Sequence, residues 1–140
     1  MRKVLFFSLI SLLLIGSCKK QPYADKELLN YRWRFDSIGT NNSFKTNTNK
    51  FHFYFCTFSD TKQVSFGDEG ISAVGIFNYD SKHNITCRDI TRMVSLPIQD
   101  DWFDTLEIVL INASTYSIVD EILTVKRYNS MQEAKFSKVK

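Results

Sequence analysis

Apolar and polar residues alternate along most of the chain with a period of two, the pattern of half-buried strands. Tyr31-Arg32-Trp33-Arg34-Phe35 sets aromatic against charged positions, and Lys50–Phe58 places Phe51, Phe53 and Phe55 on one face. Lys62–Phe66 returns after a Ser59–Thr61 turn, and Ile71–Tyr79 gives Ile71, Ala73, Gly75, Phe77 and Tyr79 a common face. Between those two strands lies Gly67-Asp68-Glu69-Gly70, a turn signal whose glycines can take positive φ. Asp80–His83 turns again, and Asn84–Cys87 and Arg88–Leu96 read as further extended stretches. The polar run Gly39–Asn49 has no period and is expected to be a loop.

The period changes after Pro97. Trp102, Phe103, Leu106, Val109, Leu110 and Ala113 make one stripe of an amphipathic helix over Gln99–Ala113, with Ile108 and Ile111 off the stripe. Asp100, Asp101 and Asp104 cluster at its start, where free N–H groups and the helix dipole favour negative charge. Strands are expected again over Thr115–Val119, Ile122–Tyr128 and Glu133–Val139. The order predicts an α+β, mostly β fold: an antiparallel meander curled into a half-barrel, with one amphipathic helix packed on it before the last strands.

Composition agrees with one folded domain. The 140 residues are 44% hydrophobic and 24% charged with 5 Gly and 2 Pro, which excludes disordered and collagen-like chains. Aromatic residues reach 14%, and Phe51, Phe53, Phe55, Phe77, Tyr79 and Trp102 are candidates to line a ligand cavity or to fill a core. Setting Arg2 and Lys3 aside leaves 16 basic residues of 18 against 15 acidic, a balance of +1. No basic excess is left for a nucleic-acid partner.

Arg2 and Lys3 are set aside because residues 1–17 have the order of a signal peptide: positive start, apolar Val4–Ile15, small Gly16 and Ser17. The apolar run is shorter than the ~20 residues a membrane-spanning helix needs. Leu14-Ile15-Gly16-Ser17-Cys18 resembles a bacterial lipobox, in which the Cys18 thiol would carry the lipid. The resemblance implies a membrane partner through an N-terminal lipid anchor and a bacterial envelope location. Lys19 and Lys20 follow with no Asp next to the Cys, which points to the outer membrane. Residues 18–28 then read as lipidated Cys and tether, and 29–140 as the globular domain.

Cys56 and Cys87 remain. One reading is a disulfide closing a loop of about 30 residues, the other two separately buried thiols. Neither zinc spacing nor any cofactor motif occurs, so no metal and no cofactor are expected. Asp68-Glu69 and Asp100-Asp101 are paired carboxylates with a turn and a helix start as their plain explanations. His52 and Cys56 share a strand face about 13 Å apart, too far for a nucleophile and its base. No catalytic residues are assigned, and the chain is expected not to be an enzyme.

Three stretches resemble the META/HslJ-like domain family. Tyr31–Phe35 is similar to its opening Trp-containing strand, and Ile90-Thr91-Arg92-Met93 to its T-x-M step before the helix. The helix, Tyr116 and Ile118, Leu123 and Phe136 are similar to its closing helix and strands. The family's G-C-N tripeptide has no counterpart here. The resemblance implies a non-catalytic envelope lipoprotein that holds an unidentified envelope protein or ligand, in a stress-related setting. A lipocalin-like barrel for apolar or glycan ligands is the alternative, on Gly75-Ile76-Phe77-Asn78-Tyr79 and the aromatic content.

Overall fold

The computed structural model describes residues 24–40, 43–48, 53–94 and 100–139. Residues 1–17, expected to be a signal peptide, and Cys18, Phe51 and His52 lie outside the described residues. A short helix α1 (Lys26–Leu29) leads into strands β1 (Arg32–Thr40), β2 (Ser43–Thr46), β3 (Phe55–Phe58), β4 (Gln63–Gly67), β5 (Ile71–Tyr79) and β6 (Ile85–Val94). Helix α2 (Asp101–Ile111) follows, then β7 (Ala113–Val119), β8 (Ile122–Arg127) and β9 (Glu133–Val139).

All strands belong to one antiparallel sheet in the order β6-β5-β4-β3-β1-β9-β8-β7, with β2 folded onto β1 as an arm. Apart from that arm the chain runs as a meander whose last strand returns to its first. The sheet curls until β6 and β7 touch at one end. There Asn84 and Thr115 form an isolated bridge, and the Tyr116 amide donates to the His83 carbonyl at 2.9 Å. The predicted half-barrel is therefore the fold, and α2 packs on it against β6, β8 and β9.

The helix forms where its stripe predicts. Asp100 caps it by accepting from the Trp102 and Phe103 amides, and Phe103, Leu106, Val109 and Leu110 are its buried face. Ile108 and Ile111 are exposed. Arg92 ties β6 to it. The guanidinium is bidentate to Glu107, donates to Asp104 at 2.8 Å, and lies 5.4 Å over the Phe103 ring. These carboxylates hold Arg92 still further into its charged form.

Two expectations about loops need correction. Residues 26–28, the end of the expected tether, belong with Leu29 to helix α1: Asp25 accepts from the Glu27 and Leu28 amides, and Leu28 is fully buried beneath Trp33, whose indole donates to the Leu28 carbonyl. Residues 43–46, counted as loop, are the arm β2. Its residues are exposed or half-exposed, so it carries no apolar alternation to read.

The face of β3 also needs correction. Phe53 is 52% exposed and Phe55 half-buried, whereas Tyr54, Cys56 and Phe58 point into the core. Register decides this. Cys56 lies opposite Trp33 on one side and Phe66 on the other, and residues opposite each other in a sheet share a face. Phe55 is covered on the outside by Arg32, 3.6 Å over its ring.

Bulges adjust the alternation elsewhere. Asp36 is the extra residue of β1, so the inward set runs Trp33, Phe35, Ile38. Its carboxylate accepts from Arg34 and Ser137. Where β6 carries an extra residue opposite Gly75, a Cβ at Gly75 would lie 2.9 Å from the Arg88 carbonyl oxygen. Only glycine fits that crossing.

Candidate functional site

The aromatic candidates divide by position. Phe77 is fully buried, tilted edge-on to Phe58 at 5.0 Å and stacked on Tyr79 at 5.6 Å, with the Lys62 ammonium 3.7 Å over Tyr79. On the inner face Phe35 meets its cross-strand neighbour Phe136 at 5.5 Å, and Phe103 of α2 stacks on Phe66 of the sheet at 5.6 Å. These rings occupy the inside of the curl as core. Phe53 and Phe55 face outward and line no lumen.

Two acidic pairs singled out in the sequence hold local structure. Asp68 accepts from the Gly70 and Ile71 amides, closing the turn in which Gly67 takes φ +126°. Asp100 caps α2 and lies beside the Tyr54 hydroxyl. Burial first, then Asp100 and the charge of Asp68, pushes the pKa of the Tyr54 hydroxyl above its ordinary range, so it holds its proton.

Cys56 and Cys87 are free thiols, both buried, so the second reading of the pair is the one the structure holds. Two strands, β4 and β5, separate them in the sheet. Burial pushes Cys87 up to about 12 and Cys56 well above its ordinary value, with Cys87 adding to the latter. Such thiols are poor nucleophiles and serve as small apolar side chains.

Alkaline pH should expose this arrangement. Both thiols and Tyr54 hold their protons more tightly in the folded chain than in the unfolded one. Folding stability is therefore complete below pH ~8.5 and falls as pH rises above it, by on the order of 1 kcal/mol per pH unit for each thiol. Urea midpoints measured from pH 7 to 11 should decline, and more gently in Cys87→Ala. A midpoint independent of pH over that range would show that neither thiol is shielded from water.

One open cleft lies at the α2 end. A cleft of about 520 Å³ lies between the β1–β2 arm, the first turn of α2 and the β8–β9 connection. Trp102 forms its apolar wall, and Thr40, Ser43, Lys45, Asp101 and Gln132 surround it with polar groups. The indole is half-buried and braced edge-on against Phe35, with ring centres 6.0 Å apart. Gln132 accepts from the Arg127 guanidinium at 2.7 Å through Oε1, which leaves its amide N–H₂ to donate. Thr105 donates to the Asp101 carbonyl at 2.6 Å and keeps its lone pairs.

Of these residues the sequence singles out Trp102, as cavity or core, and Asp101, as half of an acidic pair at a helix start. Thr40, Ser43 and Lys45 belong to the aperiodic run, and Gln132 comes from a connection far along the chain. Their one visible signal was a large aromatic in the first turn of a helix, at the border of its apolar stripe. Among the described residues no group of three or more His, Cys, Asp or Glu side chains converges as a metal site.

No protein-family model matches the chain, and no curated protein matches it. Among solved structures it is similar to a DUF4847 family protein from Bacteroides vulgatus ATCC 8482, with a TM-score of 0.62. The likeness covers 79% of this chain and 93% of that one at 12% sequence identity. At that identity the two share a fold, the curled β half-barrel with its packed helix.

Proposed function

We propose that the chain is a lipid-anchored, non-catalytic binding protein of the bacterial cell envelope that uses the α2 end of its half-barrel. The observation that carries this reading is the contrast between the two regions: aromatic side chains occupy the lumen, while the cleft at Trp102 is open. Binding in the style of a lumen-filling apolar ligand has those rings in its way.

The anchor also bears on the cleft. From Cys18 to Ala24 the chain spans six residues, about 20 Å at full extension. That tether reaches the α1 end, where β1 begins. The cleft lies at the far end of β1, nine residues and roughly 27 Å away. Lipidation at Cys18 would hold the α1 end within about 20 Å of the bilayer and leave the cleft at the farther end of β1. The likeness to META/HslJ-like lipoproteins, carried by Tyr31–Phe35, Ile90–Met93 and the closing strands, belongs to this proposal and supplies its stress-related setting, while Lys19 and Lys20 after Cys18 favour the outer membrane.

Metabolic labelling with palmitate in a bacterial host tests the anchor. The native chain should take up label and fractionate with membranes, whereas Cys18→Ala should do neither. Label retained by Cys18→Ala would remove the anchor and, with it, the hold on the α1 end.

A further inference from the structure

We infer that the Trp102 cleft is a saccharide site, selective for a neutral oligosaccharide; this rests on the reading of the α2 end as a binding face. Sugars combine faces of C–H groups with a rim of hydroxyls, and a site for them needs one flat aromatic wall inside a ring of mixed donors and acceptors. The cleft has that division. Trp102 is its one aromatic wall, with the largely buried Ile38 lining the cleft as well, and it is held in place by Phe35 behind it and by the Asp100 cap beneath its backbone. Around it Asp101 accepts, Lys45 and the Gln132 amide donate, and the Thr40 and Ser43 hydroxyls do either.

Charge selects among ligands. Lys45 and Asp101 are the charged side chains lining the cleft, one of each sign, so neither an anionic nor a cationic ligand gains a net attraction. An aliphatic ligand would leave the polar rim unsatisfied, at a cost for each group desolvated without a partner. A peptide adding to the β2 edge would have a strand of only four residues to pair with, and that strand carries Lys45. The volume lies within the range of small-molecule sites and has room for roughly two linked hexose rings, with the chain free to continue into solvent.

The chain has 2 Trp, which makes the test direct. Trp33 is fully buried, so acrylamide quenching of the full chain, in a detergent without a sugar headgroup, reads Trp102. Cellotriose, maltotriose and tri-N-acetylchitotriose are the probes, with phosphate and trialanine as controls. At least one trisaccharide at millimolar concentration should lower the quenching constant about twofold or more, and the controls should not. Asp101→Asn should weaken that protection about tenfold while lowering the melting temperature by no more than about 5 °C, because it removes a charged acceptor and one helix-dipole charge but leaves the helix cap at Asp100 in place.

Absence of protection by all three trisaccharides at ~20 mM overturns the saccharide site. Protection by trialanine alone also overturns it, while leaving a binding face at the α2 end. Saccharide protection in a chain that fails to take up palmitate would instead leave the site standing and remove the anchor.

Discussion

Tyr54→Ala is expected to lower unfolding free energy by about 3–5 kcal/mol, whereas Phe53→Ala is expected to change it by less than about 1 kcal/mol. The two residues are adjacent, both aromatic, and face opposite sides of the sheet. Tyr54 is fully buried, 6.1 Å edge-on from the Phe103 ring, and its hydroxyl lies beside the Asp100 carboxylate that caps α2. Truncation removes the ring and opens a cavity next to the seat of the helix. Phe53 is half in water already and loses little apolar burial. Urea unfolding of the two variants at pH 7 decides the matter, with Tyr54→Phe as a third arm that deletes only the hydroxyl and should cost less than about 1 kcal/mol, which assigns the loss in Tyr54→Ala to the ring. Equal losses for Phe53→Ala and Tyr54→Ala would mean that β3 packs with both faces covered.

That pair also shows where a strand can be read from its own residues and where it cannot. In β5 the alternation Ile71, Ala73, Phe77 has no rival, because the intervening Ser72, Ile76 and Asn78 are not uniformly apolar, and the buried face is the expected one. In β3 both phases carry rings. Phe51, Phe53 and Phe55 outweigh Tyr54 and Phe58 by hydrophobicity alone, yet Trp33 and Phe66 fix the phase from the neighbouring strands. Such a choice is made by register, which exists only once the sheet does. The bulge at Asp36 has the same character: it moves Ile38 inward without any Gly or Pro to announce it.

Helix α2 was legible because period, cap and acidic first turn agree on one answer. The cleft was not. Its polar residues come from a hairpin arm without periodicity and from a connection more than eighty residues beyond it in the chain. Polar residues that stay in solvent on both sides of a strand leave no pattern of burial. Nothing but the assembled barrel brings Thr40 and Gln132 to one rim.

Phe103 joins the helix to the barrel and to the cleft, and Phe103→Ala is expected to cost about 3–5 kcal/mol. The ring is fully buried, stacked on Phe66 and edge-on to Tyr54, with Arg92 above it. Arg92→Ala should cost less, about 1 kcal/mol, since its ion pairs are partly exposed to solvent. The double variant should lose less than the sum by about 0.5–1 kcal/mol, the part of the cation–ring contact that either change removes alone. Trp102 precedes Phe103 on the same first turn, so loosening that turn reaches the cleft. In Phe103→Ala, under conditions where it is still folded, Trp102 should become more accessible to acrylamide without added ligand; in Arg92→Ala the change should be smaller. If Phe103→Ala lost its stability but kept Trp102 shielded as in the native chain, the wall of the cleft would be held by Phe35 and the Asp100 cap rather than by the seat of the helix.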